Sequence, residues 1–168
     1  MDRTFEIEED VYEDADLLDT VEAVLAGDSR PYERMEEEIH FAAPVSYCDL
    51  HGVFVAREDI PSLGLTLLFD QKVPRQRRTD VQALVCLLNE MTWIGHFELS
   101  ADEGTVLWRH VSPMVARALP EPAEVAAILA AGVEACERFY PALNFLLWAG
   151  KTPREAAEAA LFETAGEA

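Results

Sequence analysis

Residues 38–70 read EIHFAAPVSYCDLHGVFVAREDIPSLGLTLLFD, and the fold turns on this stretch. Glu38–Ala42 alternates, with Ile39 and Phe41 on one side. Tyr47–Arg57 is a longer extended segment. Leu63–Asp70 is apolar almost throughout, broken by Thr66, the pattern of a central strand covered on both faces or of a strand lying under a helix. Asp59-Ile60-Pro61-Ser62 supplies the turn between the last two. At these loop lengths antiparallel hairpins are the economical connection.

Downstream, residues 75–91 predict a helix, with Val81, Leu84, Val85, Leu88 and Met91 on one face. Its start is open between a capping box of Thr79 and Gln82 and a first turn at Pro74. Ile94–Ser100 and Thr105–Val111 flank a Gly-ended turn, Ala101-Asp102-Glu103-Gly104, and predict a hairpin. Residues 122–149 predict a long helix. Val125, Ile128, Leu129, Val133, Cys136 and Tyr140 hold one face, and Pro141 is expected to kink or interrupt it. The following ALNFLLWA is hydrophobic nearly all round, so it should be buried or cover a partner. Gly150 stops the helix; Thr152, Pro153 and Glu155 start a last one.

Upstream, residues 15–27 predict a helix on Leu17, Leu18, Val21, Val24 and Leu25, with Gly27 as its stop and Asp14, Asp16 and Asp19 near its positive end. An extra strand near Tyr32–Glu36 is possible on the pattern. Residues 1–14 read as an acidic tail, and residues 15–168 as a single domain. The strands are grouped rather than alternating one-for-one with helices. That order predicts an α+β fold with a mainly antiparallel sheet: helix, three or four strands, helix, two strands, long helix, short helix.

Composition sets the classes. The chain has 168 residues, half of them apolar, enough for one real core. Thirty-two acids against thirteen Lys and Arg leave −19, and fifteen of those acids lie within Met1–His40. Such a chain repels phosphate backbones, which argues against nucleic acid as its main partner. No apolar run approaches the ~18 residues of a membrane span, and the acid-rich first twenty residues are the opposite of a signal peptide. Cys48, Cys86 and Cys136 form no CxxC pair, so neither a redox motif nor a disulfide framework is indicated and a cytoplasmic setting with reduced thiols is expected.

Motifs for chemistry are sparse. Gly150-Lys151-Thr152 resembles the end of a phosphate loop, but Phe145 stands where the pattern needs glycine and a helix precedes it. Cys48 and His51 have odd spacing, which sends them to opposite faces of a strand; His40, His96 and His110 occur singly. Asp10, Asp14, Asp16 and Asp19 lack the central glycine of a calcium loop. No GxSxG, HExxH or GxGxxG occurs, so no catalytic residue, metal ligand or cofactor is assigned. The local anomaly is Lys72, Arg75, Arg77 and Arg78, four cations at a helix start, where the dipole disfavours them. They read as a solvated cluster or as a dock for the acidic tail or an acidic partner.

The second half resembles the YbjN family of bacterial proteins, labelled sensory transduction regulators. The matching pieces are Leu88-Asn89-Glu90, Trp93-Ile94-Gly95-His96-Phe97, then Glu137-Arg138-Phe139-Tyr140-Pro141-Ala142 with Phe145 and Trp148, and Gly150-Lys151-Thr152-Pro153 with Glu155-Ala156. With Phe69-Asp70 and Val73-Pro74 the likeness spans roughly residues 15–168. It implies a fold similar to type III secretion chaperones and offers no catalytic residues.

The expectation is therefore a non-enzymatic regulatory domain, a homodimer; the resemblance adds a chaperone-like adaptor that holds a protein segment. Leu143, Phe145, Leu146, Leu147 and Trp148, with the basic cluster, are the candidate partner or dimer surface. The alternative is a small-molecule sensor with a pocket between sheet and helices, lined by Trp93, Phe97 and Trp108. An enzyme would need His96 or His110 beside a carboxylate in a cavity.

Overall fold

In the computed structural model, residues 16–114 and 119–165 are described; the expected tail of residues 1–14 lies outside them. Six strands, β1 (Tyr32–Arg34), β2 (Glu38–Pro44), β3 (Asp49–Arg57), β4 (Ser62–Lys72), β5 (His96–Leu99) and β6 (Thr105–Pro113), form one antiparallel sheet in the order β1-β2-β3-β4-β6-β5. The two rims are thus its shortest strands, three and four residues long. Four helices complete the fold: α1 (Leu17–Gly27), α2 (Arg78–Glu90), α3 (Pro122–Leu147) and α4 (Pro153–Ala165). The α+β order and the grouping of strands are as the sequence predicts, and the extra strand is β1.

Register assigns each strand residue to one of two faces. Tyr32, Phe41, Gly52, Leu67, Trp108 and Phe97 stand side by side across all six strands. This row faces the helices. Trp108 is wholly buried, and its ring lies against Gly132 of α3, where an added Cβ would come within 2.6 Å of Trp108 Cζ3. Gly52 plays the same part inside the sheet: the Phe41 ring lies over it, 2.2 Å from the place of a Cβ. Phe97 meets Phe139 of α3 edge to face, with centroids 5.8 Å apart. The neighbouring row, Glu33, His40, Val53, Thr66, Arg109 and His96, points to the opposite face.

The helices begin and end for local reasons. Asp16 caps α1 by accepting from the Leu18 amide at 2.9 Å. Gly27 is the last helical residue of α1 rather than the residue beyond it, and Ser29 takes the left-handed conformation (φ 54°). Arg34 ties β1 to α1 through Asp16, Asp19 (2.8 Å) and Glu22 (2.5 Å), while the Tyr32 hydroxyl donates to Glu22 at 2.7 Å. Of the two expected starts the structure uses the one at Pro74, whose carbonyl accepts from the Arg77 amide at 2.9 Å to open a 3-10 turn, Arg75–Arg77, that leads straight into α2; Thr79 lies inside the helix with no side-chain cap in use. Pro141 does not interrupt α3, which runs through it to Leu147. Phe139, Tyr140, Pro141, Ala142 and Leu143 are all buried, and packing on both sides of the proline outweighs a local cost of ~3 kcal/mol. Gly150 turns the chain at φ 67°, and Thr152 and Glu155 form the expected reciprocal cap of α4.

Candidate functional site

The end of α3 comes to the end of β4, and the two build a polar ladder. Gln71 of β4 donates through Nε2 to the Tyr140 hydroxyl oxygen and to Asn144 Oδ1, both at 2.6 Å. The Tyr140 hydroxyl in turn donates to Asp70 Oδ1 at 2.9 Å. Gln71 Oε1 accepts from the indole N–H of Trp148 at 3.2 Å. The spacing of Tyr140, Asn144 and Trp148 is one helical turn each, so one face of α3 meets one strand end. Burial, with Asp70 beside it, pushes the Tyr140 hydroxyl up to about 12. The thiol of Cys48, first by burial and then by the same carboxylate, is pushed up to about 11. Both groups stay protonated at neutral pH, so the ladder holds no ready nucleophile.

The turn between β2 and β3 closes one side. Ser46 reaches Glu137 of α3 through its amide (3.2 Å) and its hydroxyl, and Tyr47 stacks on Tyr140 with centroids 6.3 Å apart. Tyr47 remains 47% exposed. Trp148, one residue past α3, is 77% exposed, although its N–H is held. Phe145 is half-buried, with the Lys151 ammonium over its ring at 5.6 Å. Leu143 and Leu146 belong to the core, and Leu147 is half-buried.

The basic cluster reaches the same place. Arg77 donates to the carbonyl of Leu146 at 2.6 Å and pairs with Asp80 at 3.3 Å. The Leu146 carbonyl belongs to the last turn of α3, the negative end of that helix. The cation that is misplaced at the start of α2 is therefore well placed at the end of α3. Arg78 donates to the Ala101 carbonyl in the β5–β6 turn. Lys72 donates to Thr105 Oγ1 at 2.6 Å and lies 3.5 Å from Glu103. Arg75 is exposed. Of the expected surface residues, Arg77 reaches the last turn of α3, the turn that carries Phe145 and leads into Trp148, while Lys72 and Arg78 reach the β5–β6 turn. Sequence reasoning missed Tyr47, Asp70, Gln71, Tyr140 and Asn144 as members of the site, because only the approach of β4 to α3 unites them.

The expected pocket of Trp93, Phe97 and Trp108 does not form. Phe97 and Trp108 are packed in the core, whereas Trp93 is 100% exposed. The chain between α2 and β5 turns at Gly95 (φ 69°), which lies against the Trp108 ring and leaves Trp93 outside. Trp93 instead rims a shallow groove of about 190 Å³ between residues 91–94 and the Ala131–Phe139 segment of α3. His96 bonds Glu98 at 2.7 Å on the opposite face of the sheet, and His110 lies beside Trp108 and Ser112.

Among the described residues, no helix is long and apolar enough to cross a membrane. No curated protein matches the chain. A family model, YbjN, described as "putative bacterial sensory transduction regulator", matches residues 17–145. The match takes in all six strands and most of α3, and stops short of Trp148 and α4.

Proposed function

Because the chain belongs to the YbjN family of regulators, we propose that it is a non-enzymatic cytoplasmic adaptor that holds a protein partner and works as a homodimer. The observation that carries the reading is Trp148: a large aromatic side chain, mostly exposed, yet fixed in direction by its bond to Gln71. An aromatic group already immobilised loses little entropy when a partner covers it, which is what a binding anchor requires. Tyr47, stacked on Tyr140, and Phe145, three residues before Trp148, add apolar area, and the Lys151 cation lies over the Phe145 ring. That cation favours a partner segment with carboxylates beside an apolar residue. Pairing of two copies would set two such patches in a symmetric assembly.

The test is cross-linked capture from source-cell lysate with the wild-type chain and with Trp148→Ala. Purified reconstitution of whatever is captured and sedimentation velocity of the chain alone follow. The expected result is a dimer whose partner binds at least ~10-fold more weakly to the variant, the usual cost of a truncated aromatic anchor. A monomer that captures nothing overturns the reading, and equal binding by the variant removes Trp148 from it.

A further inference from the structure

His40 in β2 and His51 in β3 are diagonal neighbours on the face of the sheet turned away from the helices, since His40 stands opposite Val53 and His51 opposite Ala42. The diagonal brings His40 Nδ1 to 3.1 Å from His51 Nε2, with ring centroids 5.2 Å apart and planes inclined at 38°. Behind His40, its Nε2 meets Glu38 Oε2 at 2.8 Å. A carboxylate can only accept, so in the neutral imidazole Nε2–H donates to Glu38 and Nδ1 carries the lone pair on the side of His51. The geometry points to a two-imidazole site for a borderline divalent transition-metal ion of the zinc, nickel or copper(II) kind, with Glu38 orienting His40 from behind.

The spacing fits. Two imidazole nitrogens at ~2.0–2.1 Å from one ion, at angles between square and tetrahedral, stand roughly 2.9–3.4 Å apart. A carboxylate on the far nitrogen of a ligating histidine fixes its tautomer and raises its basicity. Imidazole pairs suit zinc, copper and nickel and are poor sites for magnesium or calcium. Glu33 stands across from His40 on β1, on the same face, and adds negative potential there. Among the described residues, no group of three or more His, Cys, Asp or Glu is placed to hold a metal. At the other end of this face His96 bonds Glu98, a carboxylate shared with Arg109 at 3.3 Å.

The test uses the untagged full chain near neutral pH, titrated calorimetrically with Zn²⁺ and, separately, Cu²⁺. Wild type should show one site that is lost in His40→Ala and in His51→Ala. Glu38→Gln should weaken it by ~10-fold or more, and His96→Ala should leave it unchanged. All four side chains lie on the surface, and circular dichroism checks that each variant folds. As a second readout, substoichiometric Cu²⁺ should broaden the ring-proton NMR signals of His40 and His51 before those of His96. Identical isotherms for wild type and both histidine variants would overturn the site, leaving ions held only by scattered carboxylates. Unbroadened ring signals at equimolar Cu²⁺ would also overturn it, reducing the pair to a hydrogen bond.

Discussion

Two rows of side chains cross the same six strands, one residue apart, with opposite characters. The row Tyr32, Phe41, Gly52, Leu67, Trp108 and Phe97 lies under the helices, and five of its six members are aromatic or large aliphatic. The row Glu33, His40, Val53, Thr66, Arg109 and His96 carries four ionisable groups, two of them in strands that flank the centre. Each residue of one row is the chain neighbour of a residue in the other. The difference teaches that the covered row specifies the fold by fit, and that the other row is free to carry chemistry.

The widest gap between the rows should appear at Trp108. Trp108→Ala removes a fully buried indole packed on Gly132 and should cost ~3–5 kcal/mol in urea unfolding. A loss under about 1 kcal/mol would break the contrast. Gly52→Ala tests the same row by overfilling it. Its Cβ meets the Phe41 ring, which must move, and the expected loss is ~1–3 kcal/mol by the same measurement. The end of the row supplies a pH effect. The Tyr32 hydroxyl and Arg34 hold the Glu22 carboxyl below its ordinary 4.5. A lowered folded value gives stability that is present above 4.5 and is lost as pH falls through the lower folded value. Melting temperature measured from pH 6 to 3 should therefore fall less steeply in Glu22→Gln. Smallest of all, Val53→Thr on the opposite row should change unfolding free energy by no more than ~0.5 kcal/mol. A larger loss that grows with protein concentration would show that this face is covered by a second copy.

Thiol labelling sharpens the comparison without unfolding. Cys136 lies buried beneath the covered row, and burial pushes its thiol far up; Cys86 is exposed on α2. At pH 8 Cys86 should react with an aromatic disulfide within minutes, and Cys136 only once denaturant is added.

Much of this architecture was legible in the chain because its signals are local. Glu38–Ala42 marks a strand by its alternation and the run from Leu63 by its short, turn-bounded apolar length, and Thr152 with Glu155 marks a helix start by a three-residue spacing. What escaped depends on which strand residue stands beside which. His40 and His51 are eleven positions apart, and only the β2–β3 register makes them neighbours. The strain of Arg77 at the start of α2 is resolved by a carbonyl 69 positions away. Tyr140 and Asp70 meet across a similar distance. Pro141 reads as a break because the local cost is visible in sequence, while the burial that outweighs it is not. Trp93 and Trp108 look alike on the page, and a left-handed glycine between them decides which one is inside.

The brevity of β1 and β5 has a bearing on life in a crowded solution. A sheet grows by templating, each new strand zipping onto a long row of unpaired amides and carbonyls. Rims of three and four residues offer such a row almost no length, and Arg34 and His96 stud them with charge or polarity. Short rims of this kind should limit fibre formation even in concentrated solution.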